Sequence, residues 1–226
     1  MPDIVSIGPF RADGTLLTVL ISLAVGMAAL AIWIRLDPAS RQGPWIDILM
    51  TASIITLLGW KLGFLLRDPS LLWTRPSAIL IMRGNAADVI IGLAGAVIYL
   101  IAMHLRKRMS WKGFLNMLPF ALLPGWITWS ALNEFPYQLI YAIVYAAVFV
   151  WLIMQKASEV PDDGSTISSA LLGIGIGGLI ASLFAPYPPG YVPGLTLGLT
   201  VSQWLLIGTG ILGAVIPYAY SGKKRE

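Results

Sequence analysis

Long apolar runs follow one another along almost the whole chain, and no feature limits its fold more. A helix needs about 20 apolar residues to cross the hydrocarbon core of a bilayer. Seven such stretches can be marked, at 15–34, 46–66, 87–104, 114–132, 137–154, 167–184 and 197–218. The polar segments between them are too short to bury a core of their own. Charged residues make up 12% of the 226 and hydrophobic ones 57%, whereas a soluble domain carries about 25% charged residues. A soluble globular domain and a disordered chain are both excluded. The expected fold is an all-α integral membrane protein, a single transmembrane domain over residues 1–226 with seven transmembrane helices.

Orientation follows from the loops, because Lys and Arg accumulate on the inner face of a membrane. With the N-terminus outside, the inner loops hold Arg35, Arg41, Arg106, Lys107, Arg108, Lys112, Lys156, Lys223, Lys224 and Arg225. The outer side holds Arg11, Arg67, Arg75 and Arg83. Ten against four predicts N-out, C-in. The net charge of +4 is read as topology, and no nucleic-acid partner is expected. Residues 1–13 have no basic n-region and the first apolar run is long enough to span, so no cleavable signal is expected.

The missing residues exclude whole chemistries. Without cysteine there is no disulfide, thiol nucleophile or Cys-ligated metal, and the single histidine, His104, excludes a polyhistidine site. No phosphate-cradling GxxxxGK[ST] loop is present. Neither a nucleophile–base–orienter set nor a row of ionisable groups for proton relay can be picked out. No metal or cofactor is expected.

Charged residues inside a span are costly and demand an explanation. Lys61 lies about 8 Å from the outer end of the second span, at 1.5 Å per residue. It can snorkel to the headgroups, pair with Asp88 at the start of the third span, or bind an anion. With Arg67, Arg75 and Arg83 it forms a candidate outer-leaflet site for a phosphate headgroup. Asn133 and Glu134 fall at the tip of a tight hairpin between the fourth and fifth spans. Turn chemistry explains the asparagine, while Glu134 is the one candidate acid or base. Asn116 is expected to hydrogen-bond across helices. His104 is expected to be a solvated end residue.

Gly173 and Gly177 are one helical turn apart on the sixth span, a spacing that lets a neighbouring backbone approach closely. Trp33, Trp45, Trp60, Trp73, Trp111 and Trp151 fall near predicted span ends, where interfacial belts account for them. Two outer loops stand out, 67–86 with its arginines and 185–196 with four prolines. The second should be stiff and extended, and either is placed to lie on the outer surface as a lid.

Several segments resemble, in order, those of the bacterial prolipoprotein diacylglyceryl transferases. Ile7-Gly8-Pro9-Phe10 is similar to the family's opening, and Leu58-Gly59-Trp60-Lys61-Leu62-Gly63-Phe64 to its Gly-Gly-Arg-Leu-Gly-Tyr segment, with Lys61 at the arginine. Pro76 through Gly95 matches without gaps the stretch that ends in His-Gly-Gly-Leu-x-Gly. Pro136-Tyr137-Gln138-Leu139 is similar to its Pro-Ser-Gln-Leu-Tyr, and Leu195-Thr196-Leu197-Gly198 with Gln203-Trp204 to the start of its last span. The basic inner loop leading to Trp111 and Phe114 follows in the same order. The resemblance implies a bacterial cytoplasmic-membrane protein of lipoprotein biosynthesis. Its members move diacylglycerol from phosphatidylglycerol to a lipobox cysteine.

The departures fall where the family's chemistry lies. Its catalytic histidine position is Ile90 here, and isoleucine abstracts no proton. Its Gly-Arg-x-x-Asn-Phe-x-Asn-x-Glu signature is reduced at most to Asn133 and Glu134, and a later arginine has no counterpart around Phe184. The thiol needs a base to become a nucleophile, and the leaving phosphate needs cations. Lys61, Arg67, Arg75 and Arg83, with Asp88, Asn133 and Gln138, are the residues placed to hold a headgroup. Gly92 and Gly95 are retained as packing positions. The leading expectation is a non-catalytic relative that binds phospholipid, phosphatidylglycerol first, or a partner such as a lipoprotein or another membrane protein. A transferase with a site rebuilt from Lys61, Arg83 and Glu134, or a small transporter, are the alternatives.

Overall fold

Apolar residues dominate the helices of this computed structural model, which describes residues 4–7, 10–37, 41, 43–74, 84–106, 109–133, 136–158, 165–186 and 194–221. The chain divides into two units, one of residues 1–40 with 114–226 and the other of residues 41–113.

The second unit is built on α2 (Trp45–Leu62) and α5 (Ala86–Leu105), with one-turn helices α3 (Phe64–Arg67) and α4 (Leu71–Thr74) between them. α2 and α5 run antiparallel, as Gly59 lies against Gly92, Gly63 against Asp88, and Gly95 against Ile55. Hydrogen on the facing Cα atoms of Gly59 and Gly92 lets the two backbones touch, the arrangement that small residues permit between membrane helices. Thus Gly92 and Gly95 do lie at a helix contact. Capping sets the start of α5. Asn85 Oδ1 accepts the Asp88 N–H at 3.1 Å while Asp88 Oδ2 accepts the Asn85 N–H at 2.8 Å, satisfying two donors reciprocally. The expected span 46–66 divides at Gly63 into α2 and the one-turn α3, although the Gly63 N–H still makes the helical bond to Gly59 O at 2.7 Å.

The first unit holds α1 (Gly14–Leu36), most of α6 (Trp111–Leu132), α7 (Leu139–Ser158), α8 (Ser165–Phe184) and α9 (Val201–Ser221). Direction alternates at every contact. Ser22 and Gly26 of α1 meet Gly125 and Ala121 of α6. Phe120 and Trp126 of α6 meet Phe149 and Tyr145 of α7. Gly173 and Gly177 of α8 meet Val148 and Val144 of α7, and Gly175 meets Gly210 of α9. Ser168 Oγ donates to Gly213 O at 2.6 Å along the same seam. Gly173 and Gly177 therefore receive valine side chains. The close backbone approach expected of them occurs one face away, where a methyl on Gly175 would lie 2.6 Å from Gly210 Cα.

Aromatic stacking fills the core of this unit. Trp33 stacks on the fully buried Phe120 with centroids 4.0 Å apart. Leu123, Tyr145, Leu152 and Ala170 form a buried cluster beside them. Pro119 and Pro124 sit inside α6, both buried. Each removes a backbone donor, and neighbouring helices make such breaks tolerable in a membrane.

Five helices are long and apolar enough to cross a membrane: Gly14–Leu36, Trp45–Leu62, Ala87–Leu105, Leu139–Lys156 and Thr166–Phe184. α6 is long enough at 22 residues, but its prolines, tryptophans and Asn116 dilute its hydropathy. α9 is apolar over Val201–Ile216. Its start lies four residues beyond the expected 197, because β3 (Leu195–Thr196) and β4 (Leu199–Thr200) form a hairpin first. A second hairpin pairs β1 (Ile4–Ile7) with β2 (Phe10–Asp13) ahead of α1. Gly8 and Pro9, like most of the 185–196 loop, lie outside the described residues.

The tryptophans divide. Trp73 is exposed, as expected of a belt residue, but Trp45 is buried against Gly43 and Gly113. Trp60 donates from Nε1 to Gly84 O at 2.9 Å and so ties α2 to the segment before α5. His104 is exposed, as expected, with Nδ1 3.1 Å from Met109 O. Asn116 Oδ1 is buried without a partner.

Candidate functional site

A cavity of about 640 Å³ opens in the first unit among α6, α7, α8 and α9. Ligand pockets are typically about 300–1,000 Å³. Its position follows from the packing. Antiparallel neighbours bring the end of α6, the start of α7, the end of α8 and the start of α9 to one level. Ser130, Tyr137, Gln138 and Ser202 line the cavity there. Deeper in, Leu118, Pro119, Ile167 and Ala170 make its wall apolar. The lining grades from buried Leu123, Ser130 and Tyr145 to exposed Leu122, Trp126 and Leu205, so the cavity has an open apolar rim.

Local hydrogen bonds hold the polar end. Thr200 caps α9, its Oγ1 accepting the Gln203 N–H at 3.2 Å while Gln203 Oε1 accepts the Thr200 N–H at 2.9 Å. Gln203 Nε2 then donates to Ser182 Oγ at 3.2 Å, fixing α9 to the end of α8. Ser130 Oγ is buried and has no hydrogen-bond partner. A buried hydroxyl in that state calls for an explanation.

The expected headgroup residues divide between the units. In the second unit, the fully buried Asp88 accepts a 2.5 Å hydrogen bond from Arg67 Nη2, and the arginine is half-exposed. Lys61 occupies the last turn of α2, half-buried. The sequence offered Lys61 as a partner for Asp88, and the structure shows Arg67 bound to it. In the first unit, Gln138 lines the cavity, and Asn133 ends α6 with its N–H on Trp129 O at 2.8 Å. Arg75, Arg83 and Glu134 lie outside the described residues. Ile90, at the position of the transferase histidine, is 66% exposed on α5. Among the described residues no three His, Cys, Asp or Glu side chains are grouped to hold a metal ion.

Sequence reasoning reached Gln138 but missed Ser130 and the rest of the cavity. A serine near the end of an apolar span carries no signal of its own. No protein-family model, curated protein or solved structure matches the chain.

Proposed function

We propose that the chain is a seven-span, N-out, C-in protein of the bacterial cytoplasmic membrane that binds a membrane lipid in the cavity of its first unit. It is a relative of the prolipoprotein diacylglyceryl transferases that lacks their transfer chemistry. The observation that carries this reading is the cavity itself, apolar along its depth, open on an apolar rim and polar at one end. That polarity matches a lipid chain with its head uppermost. The alternation of helix direction supports the span count. α1 and α6 are antiparallel, as two intervening crossings by α2 and α5 require. Ile90 supports the loss of chemistry, since it leaves the lipobox thiol without the family's base.

Purification in mild detergent followed by lipid extraction is expected to yield bound lipid from the wild type. Ile174→Trp, which fills the cavity wall, is expected to yield none. The same protein, in phosphatidylglycerol liposomes with a lipobox peptide, is expected to leave the peptide mass unchanged beside an active control enzyme. A diacylglyceryl adduct would show that the chemistry is retained, with Glu134 and Lys61 the first residues to replace. Lipid-free wild type would remove the binding reading.

The topology has its own test, made clean by the absence of cysteine. Single cysteines at Ser70, Asp163 and Ser221 are expected to label from the outside, the inside and the inside. Reversed labelling would overturn the orientation and with it the family proposal.

A further inference from the structure

We infer that the cavity takes an uncharged lipid bearing a hydroxyl or ester oxygen, and that Ser130 holds that oxygen. The inference rests on the reading of the cavity as a lipid site and narrows the class of lipid. It departs from phosphatidylglycerol, the ligand that the sequence resemblance implies.

Charge decides the class. Between Phe114 and Ser221 the single Lys or Arg is Lys156. It lies in the last turn of α7, at the end of the helix remote from Gln138. The one charged residue between Ser130 and Gln138 is Glu134, an acid. Among the described residues that line the cavity there is no Lys or Arg, so a phosphate at its polar end meets no basic side chain of that lining. A buried charge without a counter-charge is strongly unfavourable. An uncharged head carries no such penalty.

Ser130 decides the polar group. Its Oγ is buried, lines the cavity and has no partner. Helical serine and threonine commonly bond back to the carbonyl four residues earlier, and Thr128 does so, with Oγ1 on Pro124 O at 2.9 Å. Ser130 makes no such bond to Trp126, so its donor and its lone pairs remain available. A lone hydroxyl can donate to an ester carbonyl, or both donate to and accept from another hydroxyl. A bare hydrocarbon would leave it unpaired. Away from the polar end, Leu118, Leu123, Trp126 and Ile167 present a mainly apolar wall that suits a hydrocarbon chain. Glycerol monoesters and isoprenoid alcohols both have this chemistry.

Full-length protein in detergent, loaded with tritiated 1-oleoylglycerol, provides the test. Competitors are unlabelled 1-oleoylglycerol, geranylgeraniol, dioleoylphosphatidylglycerol and 1-octadecene. One or both alcohols are expected to displace the label or, for an isoprenoid site, to raise the unfolding midpoint where 1-oleoylglycerol does not. The two arms thus separate the glycerol ester from the isoprenoid. Phosphatidylglycerol is expected to do neither. Ser130→Ala should weaken the binding alcohol about two- to tenfold, the range for one lost hydrogen bond. It should leave 1-octadecene unaffected and the lipid-free midpoint unchanged or raised, because that hydroxyl has no partner to lose. Phosphatidylglycerol competing as well as the alcohols would overturn the uncharged class while leaving a lipid site. An unchanged alcohol affinity in Ser130→Ala would overturn the role of that residue. Failure of every lipid to bind would overturn the lipid-site reading itself.

Discussion

Gly92→Leu will separate α2 from α5 and unfold the second unit. A methyl group at this position already falls on the backbone carbonyl of Thr56. Backbone cannot turn aside as a flexible side chain can, so the helices must part along their length. Parting them takes Gly59 off Gly92 and Gly63 off Asp88, and it opens the seam along its whole length. Overpacking costs about 1–3 kcal/mol, occasionally more. A leucine against backbone belongs at the upper end, about 3 kcal/mol. Thermal unfolding in detergent should show a large fall in midpoint for Gly92→Leu. Gly208→Leu serves as the control, since nothing lies within 4 Å of a methyl placed there. Equal midpoints for the two would mean that α2 and α5 do not meet through Gly92.

The second large effect is expected at Asp88. Its carboxylate is fully buried and serves two elements together, accepting from Arg67 Nη2 at 2.5 Å and from the Asn85 N–H at 2.8 Å. Loss of a helix cap costs about 1 kcal/mol, and a hydrogen bond to a charged group contributes about 1.5–3 kcal/mol. Arg67 is half-exposed, so solvent screening places its share at the low end. Asp88→Ala should then destabilise by about 2–3 kcal/mol in total. Asp88→Asn keeps an acceptor for the Asn85 N–H and should lose only the ionic share. Arg67→Ala should cost as much as Asp88→Asn or more, because it strands a buried carboxylate. A neutral Asp88→Ala would show that neither the pair nor the cap holds α3 to α5.

Hydropathy made the helices legible, because crossing a membrane demands length and apolarity from a local window of sequence. Helix ends were less legible, because hydrogen bonds set them. α2 ends at Gly63 inside a continuous run of apolar residues, a boundary that no hydropathy window can see. The same limit hid the hairpin at 195–200. Its turn puts Leu197 at φ 54° and Gly198 at φ 81°, and a leucine in the left-handed region is not a turn signal. Asp88 was legible as a partner for a cation, Lys61, but its bond to Arg67 across α3 and α5 appears only in the folded chain. The glycines were legible as packing residues without their partners, so Gly173 and Gly177 were assigned a backbone neighbour that Gly175 has. The cavity was the least legible, since a void is volume that side chains on four helices leave unfilled. Nothing in the local sequence marks it.

The pairing of α1 with α6 has a consequence for how the protein is made. α2 meets α5, α7 meets α8 and α8 meets α9 within short spans of chain. Gly26 instead waits for Ala121, about 95 residues further on. A ribosome adds about 5–20 residues per second, so α1 leaves the ribosome several seconds before its partner exists. During that interval the small-residue face of α1 rests against lipid, and Trp33 has no Phe120 to stack on. Docking of α1 through Gly26 therefore waits for α6, which emerges after α2 and α5 and before α7, α8 and α9.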